Sequence, residues 1–114
     1  MAKKKPKKAV FLLPLTYNDG SRIPKETIDN ILAELFFVFD GWTVESEVKG
    51  AYRMHSGAER VEKLLRVAVL LQRDEVAGLR RMVRRWAAQL GQEAMYFEIS
   101  DSQIEFIRPS RKEP

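Results

Sequence analysis

Residues 42–71, WTVESEVKGAYRMHSGAERVEKLLRVAVLL, constrain the fold of this chain more than any other stretch. Trp42, Val44, Ser46 and Val48 alternate with Thr43, Glu45, Glu47 and Lys49. A period of two with one apolar and one charged face is the pattern of a half-exposed strand. The strand is expected to continue through Gly50 to Arg53. A return strand over residues 64–72 is apolar at Leu65, Val67, Val69 and Leu71 and partly apolar on its other face, which suits a central position. Residues 54–62, with the single histidine, read as an irregular connection.

One strand and one helix precede this pair. AVFLLPL at residues 9–15 is a nearly continuous apolar run, as in a strand buried on both faces, and Pro14 is expected to loosen its pairing. NDGS at residues 18–21 is a turn signal. Pro24 and Glu26 suit a helix start, Ile28, Ile31, Leu32, Leu35, Phe36 and Phe39 form an apolar stripe, and Gly41 suits the residue after its end. Phe37 lies off the stripe and is expected to face outward.

A second helix and strand follow. Asp74 is expected to be the N-cap and Gly91 the residue that ends the helix, whose stripe is Val76, Leu79, Val83, Trp86, Ala87 and Leu90. Met95, Phe97 and Ile99 then alternate with polar positions, and Ile104 and Phe106 suit a short extra strand. The order βαββαβ, with right-handed crossovers, places both helices on one face of an antiparallel sheet. The expected fold is a ferredoxin-like α+β sandwich whose other sheet face is left open for pairing with a second copy, a homo-oligomer.

Charge divides sharply along the chain. Of the net +4, residues 1–8 contribute +5 and residues 108–114 contribute +2, so residues 9–107 carry −3. The expected organisation is a disordered basic tail at 1–8, one domain at 9–107 and a second basic tail at 108–114. With no cysteine there is no disulfide framework and no thiolate zinc site. The lysine-rich start lacks a cleavage pattern after its short apolar run, and no stretch is long enough to cross a bilayer, so a cytoplasmic protein without membrane contact is expected.

The topology gathers the loop after the first strand, the central hairpin loop and the loop after the second helix at one end. Tyr17, Asn18, Asp19, Arg22, Tyr52, Arg53, His55, Gln92 and Glu93 converge there. His55 can serve as a general base, oriented by Asp19 or Glu93; Tyr17, Arg22, Tyr52, Arg53 and Gln92 are candidate ligand contacts. Glu45 and Glu47 on one strand face can pair, though a solvated face accounts for them. No metal or cofactor is expected, and no phosphate loop or nucleophile elbow is present. The second helix carries Arg80, Arg81, Arg84 and Arg85 opposite its apolar stripe, and Lys3, Lys4, Lys5, Lys7 and Lys8 crowd the start. Both features suit phosphates or acidic partners.

GWT at residues 41–43, GAYR at 50–53 and GQEAMYF at 91–97 resemble a family of short uncharacterised bacterial proteins. The resemblance implies a small α+β domain and no particular activity. The expected function is a non-enzymatic binding or assembly module, self-associating through its sheet and contacting nucleic acid or an acidic protein through the tails and the arginine helix. The alternative is a small enzyme or ligand-binding domain with its site around Arg53, His55 and Glu93.

Overall fold

The computed structural model describes residues 6–110. Strands β1 (Lys7–Pro14), β2 (Thr43–Arg53), β3 (Glu59–Leu71) and β4 (Phe97–Ser100) form one sheet of order β2-β3-β1-β4, and helices α1 (Lys25–Phe39) and α2 (Val76–Gln89) complete a βαββαβ chain. Every adjacent pair is antiparallel. Each helix links strands that have a third strand between them. The fold is the ferredoxin-like α+β sandwich.

The apolar run of β1 is explained by its central place, between β3 and β4. Ala9, Phe11 and Leu13 face the helices, where they meet Val67, Val69 and Leu71 of β3. Ile28, Ile31, Leu32 and Leu35 of α1 and Leu79, Val83 and Trp86 of α2 close this core from above. Trp86 is fully buried, and its ring lies 5.5 Å from that of Phe11 at a 38° tilt. Pro14 does not loosen the sheet. It is the last residue of β1, stays in register with Leu64, and the next residue continues with Leu15 N donating to Lys63 O at 3.2 Å.

Several boundaries differ from expectation for identifiable reasons. β1 starts at Lys7, so Lys7 and Lys8 are strand residues, ion-paired to Asp101 and Glu45, and do not belong to a tail. Lys3, Lys4 and Lys5, and residues 111–114, lie outside the described residues. Asp40, at φ 66°, takes the left-handed position that ends α1, with its N–H on Phe36 O; Gly41 does not. Phe36 is 60% exposed and leaves the stripe, while Phe37 is 87% exposed. A 3₁₀ turn at Arg73–Glu75 precedes α2, and a capping box between Gln72 and Glu75 replaces the expected Asp74 cap. The C-terminal stretch 101–110 has no regular secondary structure, so the extra strand at Ile104 and Phe106 does not form.

The sheet face away from the helices carries a line of charge. Glu45 accepts from Lys8 Nζ at 2.6 Å and from Arg66 Nε at 3.0 Å, and Arg66 Nη2 lies 3.6 Å from Glu98. A bulge between Val44 and Ser46 opens the β2 register here. It puts an extra residue at Glu45 and breaks the alternation that had placed Glu45 and Glu47 together. They are not a carboxylate pair: Glu45 joins this ion network, and Glu47 lines a cleft elsewhere.

β1 pairs β3 only from Leu64 onward, so residues 49–53 and 59–63 form a two-stranded ribbon beyond the body of the sheet. The radius of gyration, 16.6 Å, exceeds the roughly 13 Å of a compact chain this long.

Candidate functional site

The ribbon is where the loops converge. β3 begins at Glu59, and the connection is only residues 54–58, not 54–62. The difference matters because it puts Arg60 and Glu62 on a strand, two residues apart and on one face. Tyr52 is in register with Arg60, and Gly50 with Glu62, so the Tyr52, Arg60 and Glu62 side chains share that face beside the bare backbone of Gly50. Gly50 is tight there: a Cβ would stand 3.2 Å from Leu64 Cδ1.

Arg60 ties the ribbon to the loop after β1. Its Nη1 donates to Asn18 O at 2.9 Å, and its Nη2 donates to Tyr17 O at 2.5 Å and Thr16 Oγ1 at 3.3 Å. The same loop is clipped to the end of α2, where Asn18 Nδ2 donates to Gly91 O at 2.7 Å. The hairpin loop is joined to the α2–β4 connection as well, with His55 N donating to Glu93 Oε1 at 3.2 Å. Three connections distant in sequence are thus held as one surface.

Glu62 is the one buried charged residue among those described, at 8% exposure. Arg60 Nε stands 3.5 Å from Glu62 Oε2, close enough for attraction, yet both atoms are buried and neither makes a hydrogen bond among the described residues. Such orphaned groups are uncommon in folded proteins. Burial pushes the Glu62 carboxyl above its ordinary value, against the pull of Arg60. Burial, followed by the negative charges of Glu62 and Glu93, raises the Tyr52 phenol; Arg60 opposes the shift. A buried carboxylate beside a guanidinium and a phenol can hold a cation, accept hydroxyl donors or relay a proton.

A cleft of about 510 Å³ adjoins the ribbon, lined by Thr16, Arg22, Glu47, Lys49 and residues 60–63. Strand alternation puts Glu47, Lys49, Val61 and Lys63 on the opposite side from Arg60 and Glu62.

The residues singled out from sequence fall into two groups. Tyr52 is half-buried at the carboxylate, and His55 and Glu93 meet with Nε2 and Oε1 at 3.7 Å, the imidazole 95% exposed. Arg22 lines the cleft, and Tyr17 packs against the core while its carbonyl receives Arg60. The others are engaged locally. Asp19 accepts from Ser21 N at 2.8 Å and from its hydroxyl at 2.5 Å, bonds that hold its carboxyl below the ordinary value, and so it orients the turn instead of His55. Arg53 donates to Gly57 O at 2.8 Å within the hairpin loop, and Gln92 to Leu90 O at 3.2 Å. Among the described residues, no group of three or more His, Asp or Glu side chains is placed to hold a metal ion. No described helix is long and apolar enough to cross a membrane.

On α2, Arg80, Arg81, Arg84 and Arg85 are all exposed. Arg85 pairs with Glu34 of α1, and Arg80 sits over the Phe97 ring at 5.6 Å.

Fold and site together define a small α+β sandwich domain with a buried carboxylate at the base of a projecting ribbon. No protein-family model matches the chain, and no curated protein matches its sequence. Among solved structures it is similar to a phage SAM lyase in complex with S-methyl-5′-thioadenosine. The likeness has a TM-score of 0.68 at 14% identity and covers 91% of this chain and 87% of that one. At that identity it establishes the shared fold alone.

Proposed function

We propose that this protein is a small-molecule-binding domain, acting as a small enzyme or a carrier, whose ligand is a nucleoside of the kind named for the similar structure: SAM or S-methyl-5′-thioadenosine. The observation that carries the reading is the buried, unbonded Glu62 Oε2 beside the unbonded Arg60 Nε. Leaving a buried polar group unpaired costs about 1–3 kcal/mol, which a ligand supplying the missing partner would recover. Ribose hydroxyls are donors of the right kind for a carboxylate, and a sulfonium supplies the compensating charge. Tyr52 adds a half-buried aromatic face on the same side of the ribbon.

Titration calorimetry of the full chain with S-methyl-5′-thioadenosine and with SAM tests this directly. Binding by the wild type, weakened tenfold or more in Glu62→Gln with the fold intact, is the expected result. Absence of heat with both ligands at millimolar concentration overturns it.

A second reading, self-association through the sheet, is favoured by β2. This 11-residue strand lies at the sheet edge, and most of its residues are exposed. Sedimentation equilibrium over a hundredfold concentration range tests it, and a monomer throughout sinks it.

A further inference from the structure

We infer that the outer face of α2 is a docking surface for the phosphodiester backbone of nucleic acid, separate from the ribbon site. The helix sequence VAGLRRMVRRWAAQ holds four arginines and no acidic residue. A face that served solubility alone would interleave the two signs, because like charges four residues apart each cost a few tenths of a kcal/mol. Here Arg80 stands four residues from Arg84, and Arg81 four from Arg85. Within each pair the two residues are about 6 Å apart along the axis at 1.5 Å per residue.

The acids around this face leave most of its charge uncompensated. Glu34 is taken by Arg85 and by the Trp86 indole, and Glu75 accepts from Gln72 N at 2.7 Å in the capping box. Asp74, before the helix, is exposed, with Arg73 beside it in sequence. Arg81 and Arg84 make no ion pair among the described residues. Arg80 rests its guanidinium over Phe97, and an arginine supported this way keeps N–H donors for an acceptor beyond the ring. Planar guanidinium forks match phosphate oxygens in pairs, and the face contains arginine to the exclusion of lysine. Because residues 9–107 carry −3 overall, attraction to a polyanion has to come from a local patch of this kind or from the basic segments 1–8 and 108–114.

The test is fluorescence anisotropy of a labelled DNA duplex of about 20 base pairs at roughly 50 and 200 mM salt. It uses the full-length wild type, R80Q/R81Q/R84Q, R80K/R81K/R84K and K3Q/K4Q/K5Q. The arginine-to-glutamine variant is expected to lose at least tenfold in affinity, with the slope of log K against log salt reduced by about two to three, at roughly 0.9 per phosphate contact. The lysine variant should bind between it and the wild type. K3Q/K4Q/K5Q should bind more weakly than wild type while leaving a residual affinity that the arginines carry. Thermal melting checks that each variant is folded, which these exposed positions should permit. Wild-type binding that survives R80Q/R81Q/R84Q unchanged, or no binding at the lower salt, overturns the inference. Polyglutamate competing as well as unlabelled duplex at equal charge also overturns it, in favour of an acidic protein partner.

Discussion

Glu34 Oε1 accepts a hydrogen bond at 3.1 Å from Nε1 of Trp86, joining the half-buried face of α1 to the largest fully buried side chain of α2. Arg85 holds the same carboxylate from the solvent side. Among the described residues the indole N–H has no other partner, so this contact allows a tryptophan to sit at the centre of the core.

Glu34→Ala should therefore cost about 1–3 kcal/mol, the penalty for an unsatisfied buried donor. Glu34→Gln keeps an acceptor for the indole and should cost less. The Arg85 hydrogen bond, followed by that of Trp86, holds the Glu34 carboxyl below its ordinary 4.5 despite some burial. Its stabilisation is complete above that pH and is lost as pH falls through the lower folded value. Chemical denaturation of wild type and both variants between pH 7 and pH 3 measures this.

Glu62 should behave in the opposite sense. Its carboxyl is raised by burial, so the folded protein favours the protonated form, and a penalty develops as pH rises from 4.5 through the folded value. Glu62→Gln is expected to be more stable than wild type at pH 7, with the gap closing as pH is lowered toward 4. Equal or lower stability at pH 7 would mean that Arg60 compensates the charge fully.

Leu35 and Phe37 are two residues apart on α1 and should respond in opposite ways. Leu35 is fully buried in the core, and Leu35→Ala should cost about 2–5 kcal/mol. Phe37→Glu should leave stability within roughly 0.5 kcal/mol of wild type. Urea melts of both variants check the helix phase, and a large loss for Phe37→Glu would show that this face packs against something.

Gly91 has φ 65° at the end of α2. Its substitution by alanine meets no steric contact within 4 Å, so the cost is the backbone conformation alone, about 1 kcal/mol. Since Asn18 hydrogen-bonds the Gly91 carbonyl, the same variant should loosen the loop after β1, which hydrogen exchange at Tyr17 and Gly20 would detect.

The sheet and helices were legible because their signals are periodic. The β2 alternation, the unbroken apolar run of β1 and the 3.6-residue stripes of both helices each specify a face. The site was less so. The sequence of residues 54–62 suits an irregular connection, because neither Arg60 nor Glu62 is apolar and the ribbon they belong to has no apolar stripe to impose a hydrophobic pattern. An arginine and a glutamate two residues apart, opposite Gly50 and Tyr52, were the available signal. The bulge at Glu45 left no mark in the sequence, since an extra residue in a strand has no required side chain. Gly41 suits a helix end by its conformational freedom, yet Asp40 takes the left-handed position and its N–H meets the Phe36 carbonyl.

Apart from the Leu15–Lys63 bond, the ribbon that carries Glu62 stands outside the pairing with β1; β2 and β3 pair with each other there, and Arg60 ties them to the loop after β1. Its amides should therefore open more readily than those of the strands beneath the helices. Exposed positions of the ribbon, such as Lys49, Val61 and Lys63, can then change at little expense to global stability. In such an arrangement the outer surface can drift while the βαββαβ scaffold stays fixed, which is one physical route by which a fold outlasts the similarity of its sequences.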